Sequence, residues 1–146
     1  FRYLRRSFGR KPTDDRESVM HQGRCECGAV AFEVENLRAE ITMCHCGQCR
    51  RLSGHHWAAT RAIFDEVVFT NQVGLTWFAS SDWAKRGFCN RCGSSLFYRM
   101  NDEDGIGIAA GAFDNPTGFV AGKHIFTADK GDFYTIADDA PHIEKY

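Results

Sequence analysis

The cysteines constrain this chain more than any other feature of its sequence. There are seven, and none lies outside a short motif. A glycine lies at or next to each motif, as expected where a chain must turn tightly around a metal ion. The three motifs are Cys25-x-Cys27, Cys44-x-Cys46-x-x-Cys49 and Cys89-x-x-Cys92.

Seven thiols divide into a group of four and a group of three. The Cys89 and Cys92 pair lies between two predicted strands and needs a second pair to complete a tetrahedral zinc site. The isolated Cys25 and Cys27 pair is the available donor. We therefore predict a closed structural zinc site with four cysteine ligands, whose metal-binding energy contributes to folding.

The remaining thiols belong to Cys44, Cys46 and Cys49. Three protein ligands and one exchangeable position are the arrangement of catalytic zinc, so we predict a second, open zinc site here. The alternative is a closed structural site, completed by a histidine such as His55 or His56.

The chemistry of three thiolates indicates the kind of substrate. Such a site is a poor Lewis acid, and a soft, sulfur-rich metal favours another sulfur as its fourth ligand. A thiol substrate is therefore expected rather than a hydrolytic water. His45 lies between two ligands and should point away from the metal. Arg50 and Arg51 could bind carboxylates of a small thiol, although exposure on a helix face also explains them.

Short apolar and aromatic runs separated by turns indicate a mainly β, single-domain fold. Residues 47–54 form the one convincing helical segment, with Gly54 as its C-terminal stop. The predicted strands lie at 29–35, 57–64, 66–70, 75–80, 84–89, 94–100 and 105–113.

Composition limits the classes of function. At 146 residues the chain is long enough for one packed domain, and its net charge of −1 favours neither nucleic acid nor anionic lipid. No apolar run has the roughly 20 residues of a membrane helix. Residues 1–21 are basic with little periodicity and are predicted to form a flexible extension, leaving 22–146 as the zinc-binding domain. The start lacks the features of a signal peptide, so a cytoplasmic location is expected, where paired cysteines more often bind metal than form disulfides.

The motifs together resemble the family of glutathione-dependent formaldehyde-activating enzymes, which includes the centromere protein V domain. The resemblance covers roughly residues 22–144 and rests on GRCECGAV, CHCGQCRRLSG, SSDWAKRGFCNRCGSSLFY and the tail from GAFDNP to IADDAP. It implies a tent-like fold of short antiparallel strands that carries two zinc ions. The ligands that it implies are the four-cysteine set and the triplet already described.

The resemblance also implies a reaction. Glutathione joins formaldehyde to give S-hydroxymethylglutathione, in the class of carbon–sulfur lyases, with the substrate thiol on the three-cysteine zinc. Arg50, Lys85 and Arg86 are candidates for binding the carboxylates of the thiol, and His124 is interpreted as a hydrogen-bonded structural histidine or a proton carrier. The alternatives are a non-enzymatic zinc module and a thiol-responsive zinc or redox sensor. The expected partners are a small thiol and an aldehyde, with a homodimer as a further option.

Overall fold

The computed structural model describes residues 19–146, so nearly all of the predicted extension at 1–21 lies outside the described residues. In the described part, strands dominate and the mainly β prediction is confirmed. No helix between residues 19 and 146 is both long and apolar enough to cross a membrane.

Most strands belong to one eight-stranded sheet with the order β11-β10-β3-β4-β9-β8-β7-β6. Its middle is a set of antiparallel pairs that bring the cysteine-bearing strands β3 and β7 into one surface. The strands are β3 (Glu40–Cys44), β4 (Trp57–Ile63), β6 (Leu75–Ala79), β7 (Ala84–Cys89), β8 (Ser95–Met100), β9 (Gly105–Ala109), β10 (Val120–Ile125) and β11 (His142–Ile143).

A smaller antiparallel sheet with the order β1-β2-β5 completes the fold. Its strands are β1 (His21–Arg24), β2 (Ala31–Val34) and β5 (Val67–Asn71). The fully buried Phe32 of this sheet meets Phe97 of β8, with ring centroids 5.2 Å apart, and meets Phe113 at 5.6 Å. These aromatic contacts join the two sheets in the larger of two apolar clusters.

Two strand pairings differ from the expected antiparallel arrangement. β10 pairs in parallel with β3 on one side and with β11 on the other. The long excursion between β3 and β10 lets the chain return to this edge in the original direction. A second difference concerns residues 105–113, predicted as one strand: β9 ends at Ala109 and a 3₁₀ turn, Ala110–Ala112, follows.

Between residues 19 and 146 there is one α-helix, α1 (Gly47–Ser53), which connects β3 to β4 and agrees with the predicted helix at 47–54. Cys46 caps its start: the Cys46 Sγ accepts a hydrogen bond from the Cys49 backbone N–H at 3.3 Å. Gly54 ends the helix in the left-handed region, at φ 82°, where its N–H bonds the Arg50 carbonyl. Two of the three triplet cysteines are therefore fixed by the first turn of one short helix.

Candidate metal centres and active site

The four predicted structural ligands converge on one point. The ligand sulfurs of Cys25, Cys27, Cys89 and Cys92 lie within 4.8 Å of one another. The Cys27 Sγ is 3.7 Å from both the Cys25 and the Cys89 sulfurs. Sulfurs of a tetrahedral zinc site with Zn–S bonds of about 2.3 Å lie roughly 3.8 Å apart, so this cluster has the donor type and the spacing for zinc.

The backbone holds the four-cysteine cluster from two turns. Gly28 follows the first pair at φ 84° and Gly93 follows the second at φ 81°, a region that side chains rarely adopt. The buried Cys25 Sγ accepts a hydrogen bond from the Val30 N–H at 3.3 Å. A hydrogen bond to Ser94 lowers the pKa of Cys92 to about 5, which favours its metal-binding thiolate form.

The triplet Cys44, Cys46 and Cys49 also brings three sulfurs within 4.8 Å of one another. Hydrogen bonds from the other two thiols lower the pKa of Cys46 to about 2, and backbone N–H groups at the start of α1 add to this effect. The same hydrogen bonds, together with burial, raise the pKa of Cys44. The three thiols share their hydrogen bonds, and a cation bound to the sulfurs would replace the protons of those hydrogen bonds.

No histidine belongs to this sulfur group within the described residues, so the triplet has three protein ligands there. As predicted, His45 points away from the sulfurs: its Nε2 is 2.8 Å from His124 Nδ1 and its Nδ1 is 2.5 Å from the Tyr134 hydroxyl. His55 and His56 lie with this histidine group, their rings 4.2 Å apart. The closed-site alternative with a histidine ligand therefore finds no support in the geometry.

A buried guanidinium lies against the triplet. Arg86 of β7 is 4% exposed, and its Nη2 donates to the Cys49 sulfur at 3.4 Å and to the Gln48 side-chain oxygen at 3.2 Å. The guanidinium carbon lies 5.3 Å from the Trp57 ring centroid and 4.9 Å from that of Tyr98. Its Nε and Nη1 are buried and have no hydrogen-bond partner in the described chain. Unpaired buried N–H groups of a cation indicate a missing anionic or carbonyl partner.

The other predicted carboxylate-binding residues are placed differently. Lys85 precedes Arg86 on the same strand, and its Nζ lies 5.1 Å over the Trp77 ring instead. Successive strand residues point to opposite faces, so Lys85 and Arg86 cannot serve one ligand in this arrangement. Arg50 lies on α1 near Tyr134. Burial raises the pKa of Tyr134, and the positive charge of Arg50 only partly offsets that rise. Only Arg86 of the three contacts a triplet sulfur among the contacts described.

Two cavities meet at Trp57. A small one of about 50 Å³ includes Cys44, Tyr98 and Gly107 in its lining. A larger groove of about 460 Å³ runs past Ser53 and the Cys25 region. The indole Nε1 of Trp57 is buried without a hydrogen-bond partner in residues 19–146. No local sequence pattern shows that Trp57 borders both cavities.

Comparison with known proteins agrees with this geometry. The model of the family described as glutathione-dependent formaldehyde-activating enzyme matches residues 20–129. The chain belongs to this family. All seven cysteines lie inside the matched range, whereas the C-terminal segment with Asp138 and His142 lies beyond it.

Two known proteins resemble this chain over much of its length. An uncharacterized lyase of Schizosaccharomyces pombe is 28% identical over 120 residues, which cover 81% of this chain and 86% of the yeast protein. A crystal structure of a Rhodobacter sphaeroides protein is 27% identical, covers 64% of this chain and 88% of that chain, and superposes with a TM-score of 0.56. The fold of this family member is therefore shared with a solved structure.

Proposed function

We propose that this family member is a zinc-dependent enzyme of the carbon–sulfur lyase type. Its substrate would be the adduct of glutathione, or another small thiol, with formaldehyde or a related aldehyde. The family match and the relative named as a lyase support an enzyme role. The domain that carries this function would be residues 22–146.

The observation that carries the proposal is the buried Arg86 beside an all-thiol triplet. Both fit the proposed ligands: three sulfurs within 4.8 Å of one another suit zinc, and a guanidinium with two unpaired N–H groups suits a carboxylate of the thiol. The other four cysteines would hold a structural zinc, giving two ions per chain. A zinc ion on the triplet would stabilise the substrate sulfur as a thiolate.

The reaction forms one bond and moves one proton. The sulfur of the thiol bonds to the carbonyl carbon, and the thiol proton ends on the carbonyl oxygen. In the lyase direction the same carbon–sulfur bond breaks. The chain's residues would bind and orient the reactants rather than enter the bond, because proximity and alignment accelerate such an addition.

The two cavities suit reactants of different sizes. The cavity of about 50 Å³ beside Cys44 suits a one-carbon aldehyde, because on the same measure a single water needs about 10–15 Å³. The groove of about 460 Å³ has the volume for the body of a peptide-like thiol. Its lining includes neither the triplet nor Arg86, so the sulfur and one carboxylate of the thiol would extend past Trp57 to reach them. We infer that Trp57 borders both reactants and offers its indole N–H to the thiol. The Arg86 guanidinium lies 5.3 Å from the centre of the Trp57 ring, so each side chain helps to hold the other in position.

The test follows the exchange between free and thiol-bound formaldehyde by ¹³C exchange NMR, with glutathione present. The zinc-loaded protein should accelerate exchange, and Arg86→Lys should slow it while both zinc ions remain. Unaccelerated exchange with both ions retained would contradict the enzyme. Selective loss of one zinc to glutathione would instead support a thiol-responsive sensor.

A further inference from the structure

A third group of metal-binding side chains lies apart from the cysteines. The ligand atoms of His124, Asp138 and His142 are within 4.8 Å of one another. The Nε2 of His124 is 2.9 Å and 3.0 Å from the two carboxylate oxygens of Asp138. The His124 and His142 ring centroids are 5.2 Å apart. We call these three residues the histidine–aspartate triad.

The fold explains why the triad forms. His124 of β10 and His142 of β11 are register partners across a parallel pair, so both imidazoles project from the same face. Asp138 comes from the connection that leads into β11, and its carboxylate accepts the Ala140 N–H at 2.9 Å. Three segments therefore place two imidazoles and one carboxylate together without help from the cysteine sites.

The triad has the support that metal-bound histidines commonly have. The second ring nitrogen of His124, Nδ1, lies 2.8 Å from Nε2 of His45, and His45 in turn reaches the Tyr134 hydroxyl. Both histidines are buried, His45 at 1% and His124 at 3% exposure. Such outer hydrogen bonds fix the orientation and tautomer of a ligating ring.

The triad is also open to a cation from solvent. The side chain of Asp138 is 45% exposed, and His142 lies at the surface. Two imidazoles and a carboxylate form a borderline donor set that suits zinc and similar divalent transition metals. Ligand atoms around a tetrahedral zinc lie roughly 3.3 Å apart when the bonds are about 2.0–2.1 Å long. The His124 and Asp138 atoms would need to separate by only a few tenths of an ångström.

From this geometry we propose that the histidine–aspartate triad is a third divalent-cation site, zinc by its donor set, distinct from both cysteine clusters. It would fasten β11 and the preceding connection to β10. Asp138 and His142 lie outside the range matched by the family model.

Cation binding has a distinct effect on the buried hydrogen bonds. Without a cation and with both rings neutral, His124 Nε2–H donates to Asp138, His45 Nε2–H donates to His124, and the Tyr134 hydroxyl donates to His45. A cation on His124 Nε2 reverses each donor, so that His124 Nδ1–H donates to His45 and His45 Nδ1–H donates to Tyr134. The tautomer of His45 therefore reports the occupancy of the triad.

The first test begins with the full chain carrying two equivalents of zinc, the number that its two cysteine clusters would hold, and then adds Co²⁺. One Co²⁺ per chain should bind with weak d–d absorption and without the intense thiolate-to-cobalt charge-transfer band that entry into a cysteine site produces. His142→Ala and Asp138→Ala should abolish this binding, and Tyr134→Phe should weaken it roughly tenfold. Asp139→Ala and His55→Asn, which change a neighbouring carboxylate and a nearby histidine, should leave it unchanged.

A second measurement reads the histidines directly. Long-range ¹H–¹⁵N NMR spectra at pH 7 of the chain that already carries two zinc ions should place the His45 proton on Nε2 before a third equivalent of zinc is added and on Nδ1 after it. The proposal would be overturned if His142→Ala bound Co²⁺ as strongly as the unmodified chain. It would also be overturned if every Co²⁺ bound by the unmodified chain gave the thiolate-to-cobalt charge-transfer band. An unchanged His45 tautomer at saturation would overturn it as well. These readouts need no enzyme assay, so they stand apart from the proposed reaction.

Discussion

The two cysteine clusters use the same donor atom but are built in opposite ways. The four-cysteine cluster joins two turns that are more than 60 residues apart, and two of its members, Cys27 and Cys92, are exposed. The triplet draws its ligands from six consecutive positions at the start of one helix, beside a buried arginine and a cavity. Ligands distant in sequence make metal binding part of folding, whereas ligands from one short segment can bind metal with little effect on the rest of the fold.

The strongest challenge to this comparison is Cys89→Ser. Cys89 is fully buried in the larger apolar cluster, and its loss should prevent closure of the four-cysteine site. Structural zinc contributes on the order of 10 kcal/mol in small zinc domains, which rivals the whole stability of about 5–15 kcal/mol of a typical domain. We expect no cooperative thermal unfolding transition by circular dichroism. A melting temperature equal to that of Cys46→Ser would refute the division into four and three.

The next largest effect is expected for Cys46→Ser, measured as activity. The variant should lose the second zinc and at least about 100-fold in formaldehyde exchange rate, because even outer-shell changes cost metal sites 10–100-fold. Its free energy of unfolding in urea should stay within about 2 kcal/mol of the unmodified chain. Cys27→Ser is the matched comparison: it removes one of the four sulfurs of the other cluster, and the variant should unfold. Full activity in Cys46→Ser would remove the triplet from the mechanism.

The third prediction, for Arg86→Lys, tests whether the triplet, unlike the four-cysteine cluster, has a substrate-binding residue beside it. The change keeps the charge but removes the planar N–H groups, and it should lower kcat/KM for glutathione by about 10–100-fold, or about 1.4–2.8 kcal/mol. Zinc content should stay at two per chain. Lys85→Gln, on the adjacent position but over Trp77, serves as the control and should change kcat/KM by less than about threefold. Equal losses in both variants would argue against a specific role for Arg86.

The smallest expected effect concerns the turns themselves. Gly93→Ala places a side chain at φ 81°, and Gly54→Ala does so at φ 82° after the triplet helix. Each should lower the free energy of unfolding by about 1–2 kcal/mol, measured in urea. Gly111→Ala, with no atom within 4 Å of the added carbon and no positive φ, is the control and should be neutral. Only Gly93→Ala should also weaken retention of the structural zinc against a chelator; equal retention in both variants would contradict the coupling of that turn to metal.

Local pattern was enough to predict much of this molecule. The strand predicted at 84–89 is observed at those bounds, and the helix prediction differs by one residue. Cysteine spacing predicted both sulfur clusters, because tetrahedral zinc restricts which thiols can meet. β3 and β10 were not predicted. Val120–Ile125 shows no alternation, whereas residues 40–43 alternate between polar and apolar over only four positions before the cysteine motif begins.

The rest depended on contacts that no local pattern contains. His45 and His124 are 79 positions apart, and only the parallel pairing of β3 with β10 brings their rings together. Lys85 and Arg86 are equivalent in the sequence, yet strand alternation gives them opposite faces. The sequence proposed both for one ligand, and the structure brings only Arg86 to the triplet.

The parallel pairing of β3 and β10 also sets an order of events during synthesis. β4 can pair with β3 as soon as residues 57–63 emerge, but the other edge of β3 has no partner until residues 120–125 are made. The nascent chain thus carries a bare strand edge, next to three closely spaced thiols, for most of its production. Such an edge can pair with another chain, and non-local pairing is slow to form. Early binding of a metal ion by the triplet would protect those thiols from oxidation during the time in which the edge of β3 is unpaired, before β10 is made.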